Sequence, residues 1–457
     1  MEGCLYLDRY GSRGGALTVF GRYITRARNS VLVQNAAWLL AGQGLSFILQ
    51  GVSFVVLARL LRTSDYGLLA GVVALVTIAS QYASLGAGPL LMRYVSPDHS
   101  RFRLYWGNAI ISIVLVGGIS VTLLWLLGPF LISKESLPVL VPVAIAECIF
   151  VQLTATSSYV FQTFEKMKLS ATITLLNNLL RVALLLTLWM MLGKASAVQF
   201  AVASMCISIL VAMAAVTIVT RSYGRPAFSL PLFWKNTGEG FVFAVSGATT
   251  SVYNDIDKVM LSHAGMNVAN AIYSMVYRVV NIAAMPVQSL VGAAYPRFYQ
   301  VGVNGVAAVL PMARTLLKRT LVLGVTASIC MFAFAPLLPH LAGKSYVEAV
   351  SATRWLCLIP LFRCFNMSAG DALSGAGDQK YRLLCQAIAA GGNLLLNFYL
   401  IPRYSWHGAA YASLITDASL GAMHWIALFI LARRPPSSVT IVDAPLPSLR
   451  EDLDEVL

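Results

Sequence analysis

Apolar runs of about twenty residues succeed one another along nearly the whole chain, separated by short polar gaps. A run of that length lets one helix cross the roughly 30 Å hydrocarbon core of a bilayer. Lipid offers no partners for backbone N–H and C=O groups, so each run must satisfy them internally, as a helix does. Only 11% of the 457 residues are charged and the mean hydropathy is +0.73. A soluble domain of this size carries about a quarter charged residues, so this supply could not cover a water-facing surface. The pattern predicts an all-α integral membrane protein. Twelve spans fall at about 33–58, 66–92, 105–128, 137–164, 169–192, 196–220, 238–262, 269–295, 313–338, 346–375, 382–401 and 407–432.

The net charge of +14 excludes little until its distribution is read. The basic residues sit in the gaps between apolar runs, where they report topology and not nucleic-acid binding. If the N-terminus is cytoplasmic, 22 of the 33 Lys and Arg fall in cytoplasmic segments. Six face out: Arg59, Arg62, Lys134, Lys194, Lys344 and Arg403. A missed or invented span would invert this bias downstream. It therefore predicts both termini inside. Residues 1–30 carry five arginines, with Leu17, Phe20, Ile24 and Ala27 at helical spacing, which predicts a basic helix on the membrane surface. The apolar run that follows is too long for a cleavable signal peptide. The segment 435–457 holds Pro435, Pro436 and an acidic run, and reads as a disordered cytoplasmic tail. The seven cysteines form no CxxC pair and lie mostly in apolar runs, as small buried hydrophobes do. No GxxxxGK[ST], HExxH, GxSxG or GxGxxG stands in a fitting context, so no ATP site, metal or other cofactor is expected.

The two halves of the chain resemble each other. The passage from span one to span two, LARLLRTSDYGLLAGVVALV, matches in position LSHAGMNVANAIYSMVYRVV between spans seven and eight. This predicts an N-terminal lobe at 31–220, a cytoplasmic linker at 221–237 and a C-terminal lobe at 238–434, six helices each and pseudo-symmetric.

Four segments carry a family resemblance: FVVLARLLRTSDYGLLA (54–70), YNDIDKVMLSHAGMNVANAIYS (253–274), LAGKSYVEAVSATRWLCLIPLF (341–362) and GGNLLLNFYLIPRYSWHGAAYAS (391–413). The chain resembles the polysaccharide-transporter branch of the superfamily that also holds multidrug-and-toxin exporters and lipid II flippases. That resemblance implies a V-shaped, alternating-access fold in the bacterial inner membrane. It implies a flippase that moves a polyprenyl-pyrophosphate-linked oligosaccharide, such as an O-antigen or exopolysaccharide repeat unit, to the outer leaflet. It also implies a polysaccharide polymerase and glycosyltransferases as partners, besides the membrane lipids.

Such cargo needs a polar cavity with fixed positive charge, because sugars call for amides, hydroxyls and aromatic faces and pyrophosphate calls for Arg or Lys. Span one carries a polar stripe at Gln43, Ser46, Gln50 and Ser53. Span five groups Asn177, Asn178 and Arg181. Span seven has Ser246, Thr249, Thr250, Tyr253 and Asp257, span eight Ser274, Arg278, Asn281 and Gln288, and span eleven Gln386, Asn393 and Asn397. Small polar residues also bond between helices in membranes, so each stripe has two readings, cavity or joint.

Ionisable residues within spans are functional candidates by default. Arg181 is the first choice for pyrophosphate, with Glu147 at similar depth either modulating it or forming a structural pair. Lys258, Arg278 and Arg363 are further substrate candidates, with Gln43, Gln50, Asn178 and Tyr253 around them. Asp257 is placed to bridge to Arg278. Asp371 lies near Gly370, Gly375 and Gly377, a segment expected to be irregular and to line the cavity. Asp417 and His424 share one face of span twelve and are candidates for proton coupling. Competing readings are a cation-coupled drug exporter of the same fold, a membrane enzyme, and a scaffold of polysaccharide assembly. The balance of intramembrane charge argues against the first. Short loops argue against the second.

Overall fold

The computed structural model describes residues 31–433. The expected surface helix at 1–30, the tail 435–457 and the side chain of Gln43 lie outside the described residues. Among the described residues the chain is helical, with no strand. The first eight helices are α1 (Val31–Leu60), α2 (Thr63–Ala83), α3 (Ala87–Val95), α4 (Phe102–Leu131), α5 (Leu137–Ile145), α6 (Val151–Thr163), α7 (Met167–Leu192) and α8 (Ala197–Tyr223). The second eight are α9 (Leu230–His263), α10 (Asn267–Gly302), α11 (Val306–Phe334), α12 (Leu338–Ala342), α13 (Glu348–Leu356), α14 (Ile359–Gly375), α15 (Gln379–Tyr404) and α16 (Trp406–Ala432).

Nine described segments are long and apolar enough to cross a membrane. They match nine of the twelve expected spans. The other three expected spans are helical too, but differ in a telling way. Of the first, the described apolar part is Gly44–Leu60. The seventh, α9, is too polar to count by composition, since Asp255, Asp257 and Lys258 fall in its last turns. The tenth is broken into α13 and α14 around Cys357 and Leu358, with Pro360 in the first turn of α14, where its missing N–H costs no helical bond. Pro360 thus starts a helix instead of kinking one. From Ile359 to Gly375 the helix is continuous, so the glycine-rich stretch near Asp371 is regular, contrary to expectation. The expected linker 221–237 also shortens. Helix α9 begins at Leu230, and the extended part is confined to 224–229, where Ala227 N–H donates to Arg103 O at 2.8 Å.

Large apolar side chains cover the outside. Met190 is 85% exposed, Phe130 76% and Phe398 74%, levels that suit contact with lipid tails. The chain is a multi-pass membrane protein.

Contacts sort by half of the chain. α1 packs on α7, and α8 packs on α5, α6 and α7; in the second half α15 packs on α16, and α14 on α10, α11 and α16. The halves meet where α2 lies against both α9 and α10. That seam is built on Gly67 and Gly71, one turn apart. A Cβ on Gly67 would fall 1.7 Å from Asn267 O, and one on Gly71 would fall 2.3 Å from Ser262 Cβ. Without side chains there, the backbones approach closely, and Asn270 Nδ2 donates to Gly67 O at 2.9 Å.

Helix α8 starts with a capping box, in which Ser196 Oγ accepts from Gln199 N–H and Gln199 Oε1 accepts from Ser196 N–H. Ser196→Ala removes one of the two bonds. It is expected to cost about 1 kcal/mol, read as a small drop in the thermal midpoint with transport unchanged. An unchanged midpoint would show that the cap contributes nothing.

Candidate functional site

Between the halves lies a cavity of about 320 Å³. Five ionisable residues line it: Glu147, Arg181, Asp255, Lys258 and Arg278. Glu147 stands in a π-helical turn, Ala146–Phe150, between α5 and α6. The wider turn follows Pro142, which has no N–H for the helical ladder, and such turns often present functional side chains. Arg181 Nη2 lies 3.6 Å from Glu147 Oε1, so α7 and the π turn form an ion pair in the cavity wall. Arg181 Nε is enclosed and has no hydrogen-bond partner among the described residues.

On the opposite wall, Lys258 Nζ pairs with Asp255 Oδ1 and bonds Asn254 O at 3.2 Å. Arg278, one helix over on α10, pairs with no carboxylate among the described residues. Its guanidinium carbon lies 5.8 Å from the Phe54 ring centre and 6.0 Å from that of Tyr66. The expected Asp257–Arg278 bridge is absent. Asp257 points the other way, where it is 1% exposed and accepts from Tyr273 Oη and Ser413 Oγ. The cavity thus carries three cations and two carboxylates. Ser53, Ser204, Ser274, Tyr66, Tyr277 and Asn281 add hydroxyls and an amide.

A second chamber of about 490 Å³ adjoins it within the second half, sharing Asp255, Lys258, Tyr277 and Asn281. Its wall is amide-rich, with Asn254, Asn281, Gln288, Asn366 and Gln386 beside Tyr253. Arg363 Nη1 donates to Asn281 Oδ1 at 2.8 Å, and Tyr253 Oη donates to Asp417 Oδ1. Arg363 and Asp417 balance each other here, as Lys258 and Asp255 do.

Several expected residues sit elsewhere. Gln50 is exposed and Asn178 half-buried, and neither lines these cavities; among the described residues of the span-one stripe, Ser53 does. Asp371 lies off both cavities and pairs with Arg382 at 2.9 Å. His424 is 0% exposed, with Nδ1 3.3 Å from Asn366 O, and does not accompany Asp417 into the chamber. Asn393 and Asn397 are buried joints, the first donating to Thr416 Oγ1 at 3.2 Å. The sequence reading missed Tyr66, Ser204 and Asn366 as lining residues, and it missed Gly67 and Gly71 as the seam. The GxxxG spacing at 67–71 was the available signal.

Comparison with known proteins bears on the whole chain. The model of the family described as "Polysaccharide biosynthesis protein" matches residues 32–301, more than half of the sequence. No curated protein matches. Among solved structures, the lipid II flippase MurJ in an inward closed conformation superposes with a TM-score of 0.71 at 14% identity, covering 86% of this chain and 87% of that one. A multidrug resistance MATE family transporter of the MOP superfamily, facing inward, gives 0.66 at 14% identity, covering 84% and 94%. A MOP superfamily transporter from Pyrococcus furiosus, titled for the reverse polarity of its binding pocket, gives 0.51 at 12%, covering 88% and 96%. At these identities the likeness concerns the fold.

Proposed function

Because the chain belongs to the polysaccharide biosynthesis protein family, we propose that it is a flippase for a polyprenyl-pyrophosphate-linked oligosaccharide in the bacterial inner membrane, with both termini cytoplasmic. The observation that carries this reading is the cavity between the halves, where Arg278 stands without a carboxylate among the described residues. A pyrophosphate is costly to bring into low dielectric unless cations meet it. Arg278 supplies an exposed guanidinium beside two aromatic rings, and its planar fork suits a phosphate oxygen pair. Arg181 and Lys258 flank it, each held in place by its own carboxylate. The amide-rich chamber beside the cavity suits neutral sugar hydroxyls. The polyprenyl tail needs no site, since the protein's outside is lipid already.

Movement then requires the halves to part at one end of the α2 seam and close at the other. Among the carboxylates that border the cavities, Asp255 is tied to Lys258, so ion coupling falls to Glu147 and Asp417; Asp257, Asp371 and His424 lie behind the walls. A polymerase and glycosyltransferases are the partners this chemistry requires upstream and downstream.

The test uses proteoliposomes, a fluorescent polyprenyl-pyrophosphate oligosaccharide, and leaflet accessibility as the readout. Wild type is expected to move the lipid, and Arg278→Ala to slow it roughly tenfold to a hundredfold, the loss of one charge-assisted contact of about 1.5–3 kcal/mol. Arg181→Ala should slow it at least as much, because it removes a cation and leaves Glu147 unpaired to oppose the cargo. If wild type moves no lipid-linked sugar but exports cationic dyes down an imposed ion gradient, the drug-exporter reading replaces this one.

A further inference from the structure

Four of the six basic residues that the charge bias places outside converge on one basin. Arg59 comes from the last turn of α1, Arg62 from the turn between α1 and α2, Lys194 from the turn between α7 and α8, and Lys344 from the turn before α13. The basin has a volume of about 590 Å³, and among the described residues no Asp or Glu lines it. Cations on this face run against the topology rule, and bringing four of them together without a counter-charge costs repulsion. Chance scatter of residual loop charges would not gather them from three turns.

The basin also straddles the seam between the halves. Arg59 Nε donates to Leu341 O at 2.7 Å and Arg59 Nη2 to His340 O at 2.9 Å, both carbonyls of the short helix α12. Beneath them Tyr346 packs edge-on against Tyr66, with ring centres 6.3 Å apart. Gly343, at φ +114°, turns the chain so that Lys344 meets the first-half cations across the seam. Arg59 is thus spent on the joint itself. Arg62, Lys194 and Lys344 have no ion-pair partner among the described residues, and two belong to one half while the third belongs to the other.

We propose that this basin binds a phosphate-type anion, and that the bound anion staples the two halves at this end of the seam. An anion shared by Arg62, Lys194 and Lys344 relieves their repulsion only while the halves are together, so it favours the closed arrangement. The site is separate from the central cavity, and its existence does not depend on what cargo that cavity carries. Its ligand has one chemistry and two sources, a soluble phosphate or pyrophosphate, or the headgroup of an anionic lipid.

The test is calorimetric titration of the purified full-length chain with inorganic pyrophosphate, in zwitterionic nanodiscs and in nanodiscs with added phosphatidylglycerol. Arg62→Gln with Lys344→Gln is expected to weaken one class of binding at least tenfold. Arg278→Ala should leave that class intact. If phosphatidylglycerol competes with pyrophosphate in wild type alone, the headgroup is the source; if it does not, the soluble anion is. A second readout is maleimide labelling of Ser262→Cys, a position buried in the seam. Pyrophosphate should slow it at least threefold with Arg62 and Lys344 present and leave it unchanged in their absence. Lys194→Gln, on an exposed turn, serves as the single substitution should the double variant fold poorly. An isotherm and a labelling rate that ignore these cations would overturn the proposal, whatever Arg278→Ala does.

Discussion

Gly67→Ala is expected to stop transport by denying the chain the closed arrangement described here. The added methyl would stand 1.7 Å from Asn267 O and 2.7 Å from Ala271 N, and both obstacles are backbone. A side chain can rotate away from a clash, whereas a helix backbone cannot without moving the helix. The penalty in this state is about 3 kcal/mol or more, which shifts the population roughly a hundredfold toward arrangements with α2 and α10 apart. The clash lies between halves and not within one, so each half can still fold. The measurement is again maleimide labelling of Ser262→Cys, in a chain with the exposed Cys206 and Cys330 replaced by serine. Ser262 is 0% exposed in the closed seam. Labelling should be slow with Gly67 and fast with alanine there, while transport falls at least tenfold. Gly44→Ala is the control, since a Cβ there meets nothing within 4 Å. Slow labelling and normal transport in Gly67→Ala would mean that this seam is not a working gate.

The fold was legible because lipid leaves the chain few choices. Apolar runs of membrane length and basic gaps are written into composition alone, and nine of the runs return as helices that can span. What stayed hidden depends on tertiary contact. The π turn at Glu147 follows a proline, but Pro129 and Pro311 lie within helices of their own without such a turn. The break at Leu356–Ile359 hid within a continuous apolar stretch, where hydropathy cannot see a backbone discontinuity.

The site was legible only as faces. Spacing shows which residues of a helix point the same way, not which neighbour they meet. On α10, Ser274, Arg278 and Asn281 line the central cavity and Gln288 the chamber, from one face of the helix. On α1, Ser53 lines the central cavity, whereas Ser46 and Gln50 line neither cavity. Arg382 opens the eleventh expected span, and its guanidinium reaches Asp371 and Ser374, both at 2.9 Å. Long side chains at helix ends reach into neighbouring helices as readily as toward water.

Asp257 separates the two kinds of intramembrane charge most sharply. Sequence spacing places it with the cavity residues of α9, and the structure turns it into the packing of the second half. It accepts from Tyr273 Oη on α10 and from Ser413 Oγ on α16, while Lys258 N–H donates to its other oxygen at 2.7 Å. One side chain therefore ties three helices. Asp257→Ala removes the acceptor and leaves a void among buried polar groups, which costs about 2–5 kcal/mol. The expected result is a lowered thermal midpoint and a loss of monodisperse protein. Asp257→Asn is the decisive variant. Its amide oxygen can still accept from Lys258 N–H while its NH2 donates to Tyr273 Oη, which then donates to Ser413 Oγ, so the midpoint should stay near wild type. If Asp257 is a joint, that variant also transports at close to the wild-type rate and with the same dependence on ion gradient. Should Asp257→Asn keep its midpoint but lose transport, the carboxylate is part of the coupling machinery, and burial in this state conceals a group exposed in another.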